Sequence, residues 1–195
     1  ALTGTAELHF EHRAVLVLCA DNGVVAQGVS QTDACVTRAV LKNLVARRTS
    51  VCRMAEKAHC KVVAVDMGIA GKPVAGAVDR RIADGTRDFT RGPAMTRAQA
   101  VQAIAAGIAL VREQKRDGMQ ILATGEMGIG NTTTSSAVAS VLLGRPVAEM
   151  TGRGAGLSDA GLQRKIRAIE TGIAVNTPDA ADPLDVLAKL GGLDI

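Results

Sequence analysis

Aromatic residues are nearly absent from this chain, which has two Phe and no Trp or Tyr among 195 residues. Its core must therefore be built from Ala, Val, Leu, Ile and Met. The same shortage argues against nucleic-acid binding by base stacking, because that mode needs aromatic platforms. Hydrophobic residues still make up 47% of the sequence, which is ample for one packed domain.

Metal-binding residue types are also sparse. The four cysteines, Cys19, Cys35, Cys52 and Cys60, form no CxxC pair, and there are only three histidines, so a zinc site is not indicated. Cys19 lies in an apolar strand-like run and Cys52 in a helical one. This pattern predicts buried free thiols in a protein of the reducing cytoplasm.

Long apolar runs are missing as well. No stretch of about 18 apolar residues exists, and no charged-then-apolar signal segment opens the chain, so neither a membrane span nor a leader is predicted. The net charge of +4 arises from 23 basic and 19 acidic residues mixed along the sequence. A modest excess of this kind suits an anionic small molecule as well as nucleic acid. Because the chain starts at Ala1 without Met, we expect a piece of a longer protein.

Three short apolar runs bounded by turn residues predict buried parallel strands at residues 14–20, 61–66 and 119–124. Helix-length segments separate and follow them. This alternation predicts an α/β domain with a mostly parallel sheet flanked by helices. A weaker strand is expected at 78–83.

Helices are predicted from apolar spacing and from capping residues. Thr49 is expected to cap a second helix within residues 32–59, and Thr96 to cap a helix that ends before Gly118. Ser158 or Asp159 is expected to cap a helix running to about Val175. The other predicted helices are 132–143, whose Thr and Ser favour its first turn as caps, and 183–190, which follows a cap and a proline at Asp182-Pro183.

Ligands of open α/β sheets bind beyond the carboxyl ends of the strands. Each predicted strand ends in a polar, glycine-containing turn: Asp21-Asn-Gly23, Asp66-Met-Gly68 and Gly125-Glu-Met-Gly128. We therefore expect these turns to converge on one edge of the sheet. Asp21 and Asp66 have a weak claim to function, since each can simply cap its turn.

The third turn, within residues 125–136, is the richest candidate site. Gly128 and Gly130 allow close backbone approach, and the helix that follows offers free N–H groups to an anion. Three threonines, Thr132 to Thr134, add hydroxyl donors, so the segment predicts a phosphate site. An ordinary strand-to-helix turn with a Thr cap is the alternative interpretation. The segment 125–136 is not a Walker loop, because no Gly-Lys-Thr follows.

Two further features support that site. The glycine cluster 152–158 precedes a helix that carries Lys165, and together they can close on the same anion; the alternative is a solvated helix lysine. Glu126 stands at the end of a predicted buried strand, where desolvation raises a carboxyl pKa. Such a group suits proton transfer or recognition of a nitrogen heterocycle.

Taken together, the sequence resembles the nicotinate-nucleotide:dimethylbenzimidazole phosphoribosyltransferase family of cobalamin lower-ligand synthesis. The matching segments keep the family's order across nearly the whole chain. They are Cys19-Ala-Asp-Asn-Gly-Val-Val-Ala-Gln-Gly-Val29, Val65-Asp-Met-Gly-Ile69, Gly92-Pro-Ala-Met-Thr96, Gly125-Glu-Met-Gly-Ile-Gly-Asn-Thr-Thr133, Gly152-Arg-Gly-Ala-Gly156 and Leu187-Ala-Lys-Leu-Gly-Gly-Leu-Asp194.

The resemblance implies a single Rossmann-like domain over residues 1–195, usually in a homodimer. It also implies transfer of ribosyl phosphate from nicotinate mononucleotide to dimethylbenzimidazole, or to a related azole or purine, without a cofactor or metal. Glu126 would be the catalytic carboxylate. The nucleotide phosphate would be held by Gly128, Gly130, Asn131, Thr132, Thr133, Gly154 and Lys165, and the base pocket would be formed by Asp21, Thr32, Met127 and Ile129.

The sequence departs from the family's pattern in two ways. Asn22 stands where the family usually has His, and Ala39 or Val40 where it has Gln, which points to an altered base pocket. The chain also lacks the family's N-terminal helical sequence and the C-terminal region that carries its general-base glutamate. We therefore expect a fold truncated at both ends, weak or absent transferase activity, and retained nucleotide binding. A non-catalytic nucleotide-binding or regulatory module, and a purely structural remnant, are the alternatives.

Overall fold

The computed structural model of the protein describes Gly4, residues 6–7 and residues 10–195. The predicted domain of residues 1–195 therefore opens partly outside the described residues. The elements in chain order are β1 (Arg13–Ala20), a 3-10 helix (Gly23–Gln27), α1 (Cys35–Val45), α2 (Ser50–Lys57), β2 (Cys60–Gly68), β3 (Val78–Asp79), α3 (Arg97–Arg116), β4 (Ile121–Met127), α4 (Asn131–Leu143), α5 (Val147–Met150), α6 (Asp159–Asn176) and α7 (Pro183–Leu190).

The strands form one four-stranded parallel sheet in the order β3-β2-β1-β4. The predicted α/β class is thus confirmed. Central strand β1 pairs with a neighbour on each side, so that Leu18 stands opposite Val65 of β2 and Glu126 of β4. This register brings the carboxyl ends of β1, β2 and β4 to one edge, as the turn residues indicated.

Helices cover both faces of the sheet, which explains the continuous apolar runs of β1 and β2. One buried cluster lies under α3 and α7 and is built on Leu16, Val63, Val65, Met67 and Leu110. The opposite cluster lies under α1 and α2. It contains Val17, Cys19, Leu41, Leu44, Cys52 and Val62.

A third cluster joins α4, α6 and α7 around Phe89, one of the two aromatic residues. The Phe89 ring lies so close to α6 that a β-carbon on Gly172 would be 2.3 Å from it. Asn176 of α6 also donates from Nδ2 to the Phe89 carbonyl at 2.7 Å. This packing fixes α6 beside the carboxyl edge of the sheet.

The third predicted strand was shifted and wrongly described as buried. Strand β4 begins at Ile121, and the Met119 amide before it donates to the Gln114 carbonyl at the end of α3. It is the edge strand of the described sheet, and all seven of its residues are exposed or half-buried. The predicted strand at 78–83 shortens to β3, which is two residues long.

The helix predictions hold with small shifts. Thr49, Thr96, Ser158 and Asp182 are the N-caps of α2, α3, α6 and α7, and each side chain accepts a backbone N–H. The threonines of α4 do not cap it, however. Its N-cap is Gly130, at φ 91°, without a side-chain cap bond. Helix α5 was not predicted.

Cys19 and Cys52 are free and buried, as predicted, whereas Cys35 is exposed and Cys60 is half-buried. Within the described part of the chain, no helix is long and apolar enough to cross a membrane. No cluster of three or more His, Cys, Asp or Glu in that same part is arranged to hold a metal ion.

Candidate anion-binding site

The turn between β4 and α4 is built on two glycines. A β-carbon on Gly128 would lie 2.0 Å from Asp194 Oδ2 and 2.5 Å from the Ala20 carbonyl, so no larger residue fits there. Gly130 adopts a left-handed conformation and starts α4 without a capping side chain. Of the first-turn amides of α4, those of Asn131 and Thr133 donate to the carbonyls of Gly128 and Gly130, which leaves the Thr132 amide for an external acceptor.

A cleft opens in front of this turn. Its volume is about 100 Å³. Whole-ligand pockets typically measure roughly 300–1,000 Å³, so the cleft matches one anionic group rather than a complete nucleotide. Its walls are formed by residues 29–31, 128–132 and 153–155 together with Leu157 and Lys165.

Lys165 lies at the back of the cleft on α6 and is only 1% exposed. Its Nζ donates to Thr132 Oγ1 at 2.7 Å and to the Gly152 carbonyl at 3.1 Å. Burial lowers its pKa. Because the side chain is buried, the alternative of a solvated helix lysine is wrong. None of the ion pairs among the described residues involves Lys165.

The segment 152–158 folds over Lys165. Gly154, at φ 55°, packs so closely that a β-carbon there would lie 3.0 Å from Thr132 Oγ1 and 3.6 Å from Lys165 Nζ. Gln31 Nε2 donates to the carbonyls of Ala155 and Gly156 and ties the segment to the opposite wall. The two glycine clusters thus meet around one ammonium group, as the sequence indicated.

The α4 threonines have different positions. Thr132 lines the cleft and accepts from Lys165. Thr133 and Thr134 are fully buried and do not line it. Thr134 Oγ1 donates to the Asn131 carbonyl at 2.8 Å, so its hydroxyl serves the helix. Asn131 itself lines the cleft, and its backbone amide donates to the Gly128 carbonyl at 3.0 Å.

The predicted base-pocket residues are only partly brought together. Ile129 lines the cleft, and its amide donates to Thr37 Oγ1 at 3.0 Å. Asp21 Oδ2 accepts from the Ala70 amide at 2.9 Å. Burial raises the Asp21 pKa, while that amide and the Thr37 hydroxyl oppose the rise. Met127 packs against the cluster under α1 and α2, and exposed Thr32 lies outside the cleft lining.

Glu126 is the last residue but one of β4 and lies two residues before Gly128. The expectation of a buried carboxylate was wrong, because its strand is the sheet edge and its side chain is exposed. Partial desolvation by its surroundings nevertheless raises its pKa. The other acids at this edge are less accessible: Asp66 and Asp194 are buried, and Asp66 Oδ1 caps the turn after β2 by accepting from Gly68 and Ile69.

A family model described as phosphoribosyltransferase (DBI_PRT) matches residues 1–195, the whole chain. The chain belongs to this phosphoribosyltransferase family.

Curated relatives carry the name nicotinate-nucleotide–dimethylbenzimidazole phosphoribosyltransferase. One from Ruminiclostridium cellulolyticum and one from Acetivibrio thermocellus are each 45% identical over 195 residues. The alignments cover all of this chain but 55% and 56% of those relatives. The chain therefore spans about half the length of the relatives it matches.

Two solved structures match the fold of this chain. The crystal structure of CobT from Thermus thermophilus superimposes with a TM-score of 0.92 at 36% identity, over 99% of this chain and 58% of that one. A second structure, of the nicotinate-nucleotide–dimethylbenzimidazole phosphoribosyltransferase from the same organism, gives a TM-score of 0.89, also at 36% identity, over 100% and 58%. The α/β fold of this phosphoribosyltransferase family is thus present over the matched length.

Sequence reasoning missed several residues of this family member's candidate site. Arg153 lines the cleft, and its position inside the glycine cluster 152–158 was a usable signal. Gln31 carried no such sequence signal, since a lone polar residue before a helix is common. The contact between Asp194 and Asn22 was also missed: the two residues meet beneath the Gly128 turn, although 172 residues separate them in the chain.

Proposed function

We propose that this chain binds the phosphate of nicotinate mononucleotide in the cleft and takes part in phosphoribosyl transfer to dimethylbenzimidazole or a related azole or purine. The observation that carries the proposal is the buried ammonium of Lys165, which has no carboxylate partner among the described residues and lies at an open helix N-terminus. A buried cation without a counter-charge is costly, and an anion in the cleft would offset that cost.

The proposed phosphate ligands are distributed over two elements. Lys165 supplies the charge, Thr132 the hydroxyl, and Gly128, Gly130 and Asn131 the backbone turn. Gly154 allows the covering segment to approach closely. Thr133 would contribute only through its position in the first turn of α4, since its side chain is buried away from the cleft.

We propose that Glu126 acts at the nitrogen base. In the transfer, a benzimidazole nitrogen attacks the anomeric carbon, and the bond from that carbon to the nicotinate nitrogen breaks with its electron pair leaving on nicotinate. The benzimidazole N–H proton must then be accepted, and the raised pKa of an exposed carboxyl suits this role. The products are α-ribazole phosphate and nicotinate. Asp21, Met127, Ile129 and Thr32 are proposed to surround the base.

We expect turnover by the isolated chain to be weak. Of the other acids at this sheet edge, Asp66 and Asp194 are buried and Asp21 is half-buried, so none can reach a substrate as Glu126 can. Glu126 would therefore have to accept the benzimidazole proton without help from these three acids. Anchoring the phosphate still contributes, because it converts the reaction into one between positioned groups.

The test measures binding and chemistry separately. Calorimetry with nicotinate mononucleotide reports binding, and nicotinate release after addition of dimethylbenzimidazole reports transfer. Glu126→Gln is expected to abolish release while leaving nucleotide affinity within about twofold, and Lys165→Met is expected to weaken both. Binding without any release by the unaltered chain contradicts the transferase proposal.

A non-catalytic nucleotide-binding module is the second candidate. The observation that favours it is the burial of Asp66 and Asp194 at this sheet edge, which leaves transfer without a second acid or base from those two carboxyls. This module would bind nicotinate mononucleotide or a ribazole phosphate with an affinity that does not change in Glu126→Gln. Failure of every nucleotide to bind contradicts both candidates.

We also propose that residues 1–195 form one domain, that the protein is a homodimer, and that it is cytoplasmic. Support for self-association comes from exposed aliphatic side chains at helical spacing on α3: Val101, Ile104, Ile108 and Val111. Sedimentation velocity tests the dimer, and Ile108→Glu is expected to shift it toward monomer. Two free buried thiols agree with a reducing compartment.

A further inference from the structure

Asn22 and Asp194 lie together beneath the turn that forms the candidate anion site. Asn22 follows β1 and is 1% exposed, and Asp194 follows α7 and is 2% exposed. Asn22 Nδ2 donates to Asp194 Oδ2 at 3.2 Å. Both side chains are therefore shielded from solvent and are hydrogen-bonded to each other.

Two oxygens in this pair have no partner. Asn22 Oδ1 and Asp194 Oδ1 are buried and accept no hydrogen bond from the described residues. A β-carbon on Gly192 would lie 2.4 Å from Asp194 Oδ1 and 2.7 Å from Asn22 Oδ1, so both oxygens face the same glycine. An ionised carboxylate cannot donate, and it would leave both acceptors unpaired at a cost in free energy.

We propose that Asp194 is protonated in the folded protein and donates from Oδ1 to Asn22 Oδ1, so that acid and amide form two reciprocal hydrogen bonds that hold the Gly128–Gly130 turn. A carboxylic acid has one donor and one acceptor oxygen, and a primary amide offers the complementary pair. Asp194 is thus a positioning residue, since it lies under the site and does not line it.

The charged groups around Asp194 favour this neutral form. Burial raises its pKa to about 7, and the charges of Glu126 near the end of β4 and Asp21 after β1 act in the same direction, against the hydrogen bonds from its own backbone amide and from Asn22. Cys19 of β1 also faces Asp194, and burial together with the neighbouring acids raises its thiol pKa to about 12. All of these neighbours are neutral or acidic.

The pair is in direct contact with the anion-site turn. A β-carbon on Gly128 would be 2.0 Å from Asp194 Oδ2 and 2.7 Å from Asn22 Nδ2, and one on Gly130 would be 3.3 Å from Asn22 Cβ. Losing the Asp194 proton would break one of the two bonds and place a negative charge under the cleft. Both effects weaken anion binding as pH rises.

The decisive variant is Asp194→Asn, because asparagine keeps a donor and an acceptor opposite Asn22 at every pH. A carbon-13 NMR titration of the side-chain carboxyls from pH 5 to 8.5 measures protonation without any ligand, and the variant's spectrum identifies the Asp194 signal. We expect Asp194 to be protonated at pH 5.5 and to titrate near 7. A signal already ionised at pH 5.5, as a water-bridged carboxylate would give, overturns the proposal.

Sulfate is the second probe, because it stays doubly charged across this range; this arm rests on the proposed phosphate site. Between pH 5.5 and 8.5 we expect the sulfate Kd of the unaltered chain to rise at least about fivefold more than that of Asp194→Asn. Lys165, Glu126 and Asp21 remain in both proteins, so the difference isolates Asp194. Equal pH profiles overturn the coupling. If neither protein binds sulfate, the phosphate site fails and the NMR titration still decides the pair.

Amide hydrogen exchange tests the positioning role. At pH 6 the Ile129 amide is expected to exchange at least about tenfold faster in Asp194→Ala than in Asp194→Asn, while the Val65 amide of β2 exchanges equally in both. Equal Ile129 protection in the two variants overturns the role. If the alanine variant does not fold, the unaltered chain at pH 6 and pH 8, corrected for intrinsic exchange, gives the same comparison.

Discussion

Lys165 Nζ and Thr132 Oγ1 lie 2.7 Å apart, joining the buried cation of α6 to the first turn of α4. The hydroxyl and the Gly152 carbonyl satisfy two of the three ammonium donors. The remaining donor and the positive charge are left for a ligand. This relationship places a cation, a hydroxyl and a helix N-terminus around a cleft the size of one phosphate group.

Lys165→Met is expected to separate binding from stability. Methionine fills a similar volume without a buried charge, so the free energy of unfolding should change by no more than about 1 kcal/mol. Affinity for nicotinate mononucleotide should fall at least about tenfold, because a hydrogen bond to a charged group contributes roughly 1.5–3 kcal/mol. Calorimetry and urea unfolding measure the two quantities.

The matched control is Arg167→Met on the same helix, at an exposed position. It removes one positive charge but leaves the cleft intact, and its nucleotide affinity should stay within about twofold of the unaltered chain, because exposed charges are well screened. Equal losses in both variants would mean that net charge, not the Lys165 contact, governs binding.

Stability is expected to fall as pH rises from about 4 to 7. The Asp194 carboxyl, ordinarily near 3.8, has its pKa raised to about 7 by burial. Between these values the unfolded chain releases the proton while the folded chain keeps it, so the free energy of unfolding declines by up to about 1.4 kcal/mol per pH unit and levels off above pH 7. Urea unfolding of the unaltered chain minus that of Asp194→Asn should show this slope. A flat difference contradicts a raised Asp194 pKa.

Two glycines, one in the anion-site turn and one within α3, predict opposite outcomes for the same substitution to alanine. Gly128→Ala would place a methyl group 2.0 Å from Asp194 Oδ2 and 2.5 Å from the Ala20 carbonyl, so we expect a loss of at least about 2 kcal/mol in stability. Gly107→Ala lies within α3 with nothing within 4 Å, and should gain about 0.5–1 kcal/mol from its helix propensity. Thermal unfolding of both variants measures the contrast.

Local signals were sufficient for most of the fold. Helix α7 was predicted with its full bounds, because Asp182 and Pro183 mark its start within a few residues of sequence. The burial of β4 was wrongly predicted for a tertiary reason. Its apolar run suggested burial, but the strand lies at the sheet edge, and exposure of such an edge is not encoded in its own composition.

The candidate site was predictable where its residues sit in glycine motifs. Gly128, Gly130 and Gly154 were identified because turns and left-handed positions select glycine. The burial of Lys165 was not predictable from its helix, since the segment 152–158 folds over it. The bond from Ile129 to Thr37, 92 residues apart, likewise depends on the register of α1 against β4.

Thr37→Val tests whether that long-range bond fixes the anion-site turn. Thr37 is fully buried, and its Oγ1 accepts from the Ile129 amide at 3.0 Å. Valine keeps the shape but removes the acceptor, so we expect a loss of about 1–3 kcal/mol in stability and a weaker nucleotide affinity. The Asp21 pKa should rise further, because the Thr37 hydroxyl of the unaltered chain opposes the effect of burial.

Thr134→Val is the matched control, since this equally buried hydroxyl only donates to the Asn131 carbonyl within α4, and its loss leaves no amide unpaired. Similar stability and affinity in the two valine variants would show that the turn does not depend on Thr37.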